Sequence, residues 1–320
     1  MKRTLIAFLL TVPAFAIDGF VINATTGKPQ AGAAIDLVQP SQNGMVPLGK
    51  TTSGAQGEFK IDKQIPPGPG LLQVTYQGTT YNQIITPNMP TTGVQVKVYD
   101  STRNKAVGEP AEHLILFEPS ATEIKINETF IFNNTTNTTF NDPARGSARF
   151  YLPPAAVGKT RGMITAPGGM PISRPPVATG QTGLFKLDYP VKPGETRMDV
   201  SYAIPAAATF VGKVVPSERG VHIVTPYSVT LAGDGIVEAG QEPQTQAHIY
   251  NVKGTDFSLG ITGVGSLRPE QPAAGEEEDT GQPKIELVVP RIYSRMYWVL
   301  GLTLGILALG GWMLFNKRTA

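Results

Sequence analysis

The chain contains no cysteine. This absence excludes disulfides, cysteine-based zinc sites and a thiol nucleophile. Histidine occurs three times, at His113, His222 and His248, and each stands alone, whereas zinc sites need closely spaced ligands. No nucleophile elbow and no phosphate-cradling glycine loop with a lysine is present. We therefore predict no catalytic residue, no cofactor and no metal site.

The charge has no strong bias of either sign. The 27 Lys and Arg residues nearly balance the 25 Asp and Glu residues, for a net charge of +2, and the basic residues are scattered along the chain. A nucleic-acid partner is not predicted, because such proteins carry a clustered basic surface. The chain also lacks amphipathic helical patterns between residues 17 and 285, while its 35 Gly and 28 Pro separate short alternating runs. This pattern is typical of an all-β protein.

Alternating apolar positions and turn residues divide the chain into segments. We predict two tandem β-sandwich domains of transthyretin-like or immunoglobulin-like type, at residues 17–100 and 113–266, joined by a linker at 101–112. Residues 267–290 are rich in Pro, Gly and acidic side chains and are predicted to form an acidic stalk.

One stretch of the first segment is echoed in the second. Residues 57–76 align without gaps on residues 183–202, and eight of the twenty positions are identical, including a Phe-Lys-x-Asp and a Val-x-Tyr. Each copy contains a strand, a Pro-Gly turn and a second strand, so we predict a β-hairpin in both places. A duplication and the general likeness of β-hairpins are both open explanations.

The first segment resembles the carboxypeptidase regulatory-like family. The resemblance covers residues 17–100 and rests on the motifs Thr26-Gly-Lys-Pro29, Ala31-Gly-Ala-Ala-Ile-Asp-Leu37, Gly57-Glu-Phe59 and Pro67-Gly68. It implies a transthyretin-type β-sandwich and an accessory role outside the cytosol. It implies no reaction, since no metallopeptidase zinc motif is present. The chain departs from the family pattern at residues 66–70, where Pro-Pro-Gly-Pro-Gly replaces a simpler turn.

Two kinds of surface feature have more than one interpretation. Asn-x-Thr sequons, which are glycan acceptors in eukaryotes, occur at Asn23, Asn127, Asn133, Asn134 and Asn137. The tract at residues 133–139 is interpreted here as a polar loop. Tyr76, Tyr81 and Tyr99 are candidates for stacking on sugar rings. Alternation places Tyr76 on the same core face as Val74, so packing inside the domain is the favoured interpretation.

The amino-terminal residues have the parts of a secretory signal. In residues 1–16, Lys2 and Arg3 precede a short apolar run, and Ala14-Phe-Ala16 forms a small-x-small cleavage pattern. We predict that this signal exports the residues that follow it.

A carboxy-terminal apolar segment is predicted to span a membrane. Residues 297–315 contain no charge, and as a helix they rise about 28 Å at roughly 1.5 Å per residue, close to the thickness of a bilayer core. We place the helix at residues 296–315. Its predicted interface anchors are Trp298, Trp312, Arg295, Lys317 and Arg318.

Together with the export signal, the predicted helix determines which residues lie on each side of the membrane, and it contains a motif through which two helices can pair. With an exported amino end, residues 316–320 form a cytoplasmic tail and the bulk of the chain is extracytoplasmic, in the periplasm or at the cell surface. Gly301 and Gly305 form a Gly-x-x-x-Gly motif that allows two such helices to approach closely, so a homodimer is a candidate assembly.

These features predict a bacterial single-pass membrane protein that binds or scaffolds through its sandwiches without catalysis. Its partners are the lipid bilayer and a protein or membrane complex, with a glycan as an alternative ligand. The alternative function is that of a structural accessory subunit in a larger membrane complex. A hydrolase of surface glycans or peptides is the least favoured interpretation, because no pair of carboxylates stands out.

Overall fold

The computed structural model describes residues 17–41, 44–216 and 220–267 of the chain. This part is all-β, as the sequence predicts, and its only helical element is a 3-10 turn at Pro154–Ala156. None of its helices is long and apolar enough to cross a membrane. The predicted signal (1–16), nearly all of the stalk (267–290), the membrane helix (296–315) and the tail (316–320) lie outside the described residues.

The first sandwich has two four-stranded sheets. In one sheet β1 is central, with β5 and β2 on one side and β8 on the other; the second sheet has the order β4-β3-β6-β7. Its strands are β1 (Ile17–Asn23), β2 (Lys28–Pro29), β3 (Ala34–Ser41), β4 (Gly44–Thr52), β5 (Glu58–Ile61), β6 (Gly70–Tyr76), β7 (Thr79–Ile85) and β8 (Val94–Val98).

The core of the first sandwich lies between these two sheets. Alternating positions of the core-forming strands point inward, as in β8, where Val94, Val96 and Val98 are buried while the residues between them are exposed. Leu37 and Leu72 face this cluster from β3 and β6 of the second sheet and are fully buried. Two inward faces therefore close on one hydrophobic cluster, which defines a β-sandwich.

A two-residue strand, β9 (Ser101–Thr102), follows within the predicted linker. The second sandwich begins after it. Its strands are β10 (Glu112–Pro119), β11 (Glu123–Asn134), β12 (Thr139–Phe140), β13 (Ala148–Tyr151), β14 (Arg161–Thr165), β15 (Ile172–Ser173), β16 (Val177–Ala178), β17 (Leu184–Leu187), β18 (Gly194–Pro205), β19 (Thr209–Lys213), β20 (His222–Thr225), β21 (Thr230–Asp234), β22 (Ile236–Gln241), β23 (His248–Val252) and β24 (Asp256–Thr262).

In the second sandwich one large sheet packs against two small ones. The large sheet has eight strands in the order β15-β14-β18-β11-β10-β20-β23-β22, and the small sheets have the orders β13-β17-β16 and β19-β24-β21. A single hydrophobic cluster includes residues of all three, among them Ile126, Phe150 and Phe257. Phe117 of the large sheet meets Phe210 edge-to-face at 5.1 Å, which joins β10 to β19.

The predicted hairpins are wrong in both copies of the internal echo. β5 and β6 belong to different sheets of the first sandwich, and β17 and β18 belong to different sheets of the second. The connections at residues 62–69 and 188–193 are longer than a tight hairpin turn, and each carries the chain across the core. In both copies, nevertheless, the chain passes from a strand of one sheet to a strand of another, and Val74 and Val200 are fully buried at matching positions. This shared path favours a duplication.

The parallel pairing of β1 with β8 depends on a glycine. Gly19 lies opposite Val94, and a Cβ atom added to Gly19 would lie 1.8 Å from the carbonyl oxygen of Val94. Any side chain at this position must push the two strands apart. Gly180, by contrast, has nothing within 4 Å of such a Cβ atom.

We predict that Gly19→Ala destabilises the protein by roughly 2–3 kcal/mol, because the added methyl group separates β1 from β8. Urea unfolding followed by circular dichroism measures the loss. Gly180→Ala is the matched control and should change the free energy of unfolding by less than about 0.5 kcal/mol. Equal effects of the two substitutions would show that β1 and β8 do not approach each other in this way.

Candidate functional site

The predicted membrane-anchor and dimer residues lie outside the described part of the chain. These are Arg295, Trp298, Trp312, Lys317, Arg318, Gly301 and Gly305. Within residues 17–41, 44–216 and 220–267, no group of three or more His, Asp or Glu side chains could hold a metal ion. The polar features that stand out are the junction between the two sandwiches and a buried histidine in the large sheet.

At the junction, the backbones of the two sandwiches are hydrogen-bonded to each other. β9, directly after the first sandwich, pairs in parallel with β12 of the second, with Ser101 opposite Thr139 and Thr102 opposite Phe140. The Thr139 N–H donates to the carbonyl oxygen of Asp100 at 2.9 Å. The predicted linker therefore contributes a strand to the contact.

Sequon residues supply the side-chain bonds beside this strand pair. The Asn23 amide donates to the Asp100 carboxylate at 2.7 Å, and the hydroxyl of Tyr76 donates to the same oxygen at 3.1 Å. Across the junction, the Asn137 amide donates to the carbonyl oxygen of Thr25 at 3.2 Å. Asn134 is buried, and its amide donates within the second sandwich. The amides of these three asparagines are thus engaged in structure.

Tyr81 is buried at the centre of the junction, so its ring is not a platform for sugars. Its hydroxyl contacts the Tyr99 carbonyl oxygen at 3.0 Å and the Thr139 hydroxyl at 2.9 Å. Because Tyr81 is 5% exposed and Thr139 is fully buried, these groups have little water as an alternative partner. Each sandwich therefore satisfies a buried polar group of the other. Burial also raises the pKa of Tyr81.

Lys192 completes the junction from the second sandwich. Its ammonium group donates to the Thr80 carbonyl oxygen at 2.6 Å and lies 5.2 Å from the Tyr81 ring centre and 5.8 Å from that of Tyr189. No carboxylate of the described residues pairs with it, and burial lowers the pKa of Lys192 to about 8. Cation–π contact with the two rings offsets part of the cost of burying the charge.

A second polar feature lies inside the core of the second sandwich. His113, Glu128 and Tyr202 project inward from the adjacent strands β10, β11 and β18 and are 3%, 4% and 7% exposed. The Nε2 atom of His113 lies 3.1 Å from one Glu128 carboxylate oxygen, and the Tyr202 hydroxyl donates to the other oxygen at 3.0 Å. The His113 ring stacks on Phe130 with 4.1 Å between ring centres.

This network places a carboxylate where apolar side chains normally pack. Burial, the negative charge of Glu128 and the hydrogen bond to it together hold the pKa of Tyr202 well above its usual range. His113 is a packed core side chain whose partner, Glu128, lies 15 residues away in the sequence. His222 and His248 also have partners, Asn251 at 2.7 Å and Glu238 at 3.0 Å.

We predict that the stability of the protein rises between pH 8 and 10 through Lys192. The unfolded chain keeps the Lys192 proton up to about pH 10.5, whereas the folded chain loses it near pH 8, so the unfolded state binds more protons in this window. The gain is at most roughly 3 kcal/mol. Urea unfolding at each pH measures it.

Lys192→Met should abolish this gain, since methionine fills a similar volume without a titrating group. Lys97→Met, at an exposed position of β8, is the matched control and should retain it. If the difference between the wild type and Lys192→Met stays constant from pH 8 to 10, Lys192 is not buried in the junction.

Comparisons with known proteins do not assign the chain to a family. No family model and no curated protein matches it. Among solved structures, it is similar to an M1 zinc metallopeptidase from Deinococcus radiodurans at 12% identity, with a TM-score of 0.23, covering 48% of this chain. The chain spans only 42% of that peptidase.

Two pilins are also similar. The shaft pilin SpaA from Lactobacillus rhamnosus GG has 10% identity and a TM-score of 0.21, covering 74% of this chain and 92% of the pilin. BcpA, the major pilin subunit of Bacillus cereus, has 12% identity and a TM-score of 0.20, covering 80% and 89%. Similarities at this level carry no argument about function.

Proposed function

We propose that this chain is a membrane-anchored extracytoplasmic protein that binds or scaffolds a partner through two β-sandwiches, without catalysis. The observation that carries the proposal is the junction. Tyr81, Thr139 and Lys192 make contacts there that only a fixed arrangement of the two sandwiches can satisfy. A fixed arrangement presents loops and edge strands of both sandwiches to a partner as one surface, at a low entropic cost of binding.

The membrane placement in this proposal comes from the sequence. An export signal at residues 1–16 and a spanning helix at 296–315 place the sandwiches outside the cytosol, with residues 316–320 inside. Arg295 and Lys317 bracket the helix at the two interfaces, and Gly301 and Gly305 provide a contact for a homodimer.

We also propose that residues 17–100 form a carboxypeptidase regulatory-like module. Two family motifs supply glycines where the backbone needs them: Gly27 and Gly57 have φ angles of 73° and 75°, a region that favours glycine. The two-sheet sandwich agrees with the expected fold class. Such a module gives an accessory role and no reaction.

Catalysis is not part of the proposal. Among the described residues, His113 and Glu128 form the pair best suited to proton transfer, but both side chains are at least nine-tenths buried in the core. Hydrolysis of a glycan or peptide needs a reacting bond within reach of such groups. A packed core does not admit one.

Crosslinking in native membranes tests the proposal. A photo-crosslinking residue is placed at Met170 or Val211, which are 78% and 76% exposed, and the adducts are identified after irradiation. We expect one discrete protein adduct, because a scaffold holds a defined partner. If the wild type also migrates in native gels as a single large band, the partner is a membrane complex and the chain is its accessory subunit.

Protease added to intact spheroplasts is the control for location. It should digest the sandwiches, together with any crosslinked partner, if they lie outside the cytosol. The proposal fails if neither position gives a protein adduct and the chain migrates at the mass of a monomer. It also fails if the protease spares the sandwiches of intact spheroplasts.

A further inference from the structure

One side of the second sandwich carries exposed apolar side chains. On this side the chain crosses from β15, the last strand of the large sheet, to β16, the last strand of the small sheet β13-β17-β16. Met170, Ile172 and Val177 lie along the crossing, and Met163 lies beside it on β14; all four side chains are exposed. We call these four residues the apolar side. Apolar groups gathered on one exposed side indicate an interaction surface.

The backbone of the apolar side is poorly suited to accept another strand. The edge strands β15 and β16 have two residues each, and Pro171, Pro175 and Pro176 flank them. Proline has no N–H to donate, and short edge strands with neighbouring prolines resist pairing with an added strand. A partner on this side is therefore bound by side chains.

The cations of this segment are exposed. Residues 157–178 contain three basic side chains and no acidic one. Lys159, Arg161 and Arg174 are all exposed, and none of them forms an ion pair within the part of the chain that the structure describes. Arg161 precedes Met163 by two residues on β14, so both lie on the same face of that strand.

The acidic residues of the neighbouring strand have a cation of their own. Asp199 of β18 lies opposite Met163, and its carboxylate lies 2.8 Å from the guanidinium group of Arg197. The negative charge of Glu195 also acts on Arg197. The positive charges around the apolar side thus exceed the negative ones.

We propose that the apolar side docks on the surface of a bilayer that contains anionic lipids. Apolar side chains can enter the boundary between headgroups and acyl chains while Lys and Arg remain among the headgroups. Each Lys or Arg close to an anionic membrane surface strengthens such binding. The inference rests on the proposed function only in that the proposed anchor keeps a bilayer nearby.

The chemistry of the apolar side favours lipid over an acidic protein. Protein interfaces depend on aromatic and arginine anchors in well-packed pockets, and the four apolar side chains here are Met, Ile and Val. Met170 lies in the loop at residues 166–171, where the Gly169 N–H donates to the Ala166 carbonyl oxygen at 3.0 Å and closes a turn. A flexible apolar side chain at an exposed turn is suited to insertion among lipids.

A fluorescent label at position 170 of the full-length protein tests the docking. Met170→Cys creates a single labelling site, because the chain has no cysteine. Each labelled protein is reconstituted into vesicles of phosphatidylcholine, with or without phosphatidylglycerol, that carry a lipid-borne quencher. We expect quenching of the label in the anionic vesicles, and less quenching in neutral vesicles or at high salt.

Val211→Cys is the matched control position. Val211 is about as exposed as Met170 and lies on β19, in the other small sheet. A label there should remain unquenched in both kinds of vesicle. Equal quenching at the two positions would show that the label itself, and not the apolar side, seeks the lipid, and would overturn the proposal.

Removing the cations tests the electrostatic part. The ratio of docked to free protein should fall by roughly tenfold or more in a triple variant of the labelled protein, because the attraction to the anionic surface is lost. The three substitutions are Lys159→Gln, Arg161→Gln and Arg174→Gln.

A second triple variant controls for net charge. It changes the charge by the same amount at exposed positions of the first sandwich and should retain the quenching; its substitutions are Lys28→Gln, Lys50→Gln and Lys97→Gln. Equal effects of the two triple variants would contradict the proposal. So would quenching as strong in neutral vesicles as in anionic ones.

The outcomes separate this surface from the proposed function. A label at position 170 that stays unquenched in both kinds of vesicle would overturn the docking, and a discrete protein adduct at this position would then assign the apolar side to an acidic protein. Alkaline extraction of the vesicles reports on the proposed anchor separately. Complete extraction together with quenching at neutral pH would remove the anchor and retain the docking surface.

Discussion

The arrangement of the molecule depends on polar groups of one sandwich that find their partners in the other. The Tyr81 hydroxyl meets Thr139 where little water can replace the contact, and the half-buried Lys192 ammonium group meets the Thr80 carbonyl oxygen. Separating the sandwiches would leave these groups to be solvated again, and it would break the β9–β12 pair. The junction therefore holds two hydrophobic cores in a fixed relation without a disulfide.

The second sandwich differs from the first in having a buried ionisable network in its core, formed by His113, Glu128 and Tyr202. Glu128 occupies the centre of an inward face, where it accepts from Tyr202 and pairs with His113. Breaking a buried pair of this kind is costly, because a charged group is then left without a partner. Together with the stacking on Phe130, the network thus fixes the orientation of the His113 ring.

Alternation of apolar side chains in the sequence predicts many of the strands, but it does not predict how the two sandwiches contact each other. β8 and β11 could be identified because apolar side chains recur at every second position, whereas β4 shows exposed residues on both faces and no alternation. β24 can be identified in the same way, since Phe257, Leu259 and Ile261 alternate. The inward position of Glu128 was also readable, since it interrupts the apolar series of β11. The junction was not, because contacts such as Thr25 with Asn137 join residues distant in sequence.

The fixed junction is tested most directly by a distance measurement between the two sandwiches. Because the chain has no cysteine, two introduced cysteines carry spin labels at single defined positions, for example at Lys60 of β5 and Arg161 of β14, both exposed. Pulsed electron spin resonance should give one narrow distance distribution if the sandwiches form a single body. A broad distribution, or two separate distances, would contradict the account.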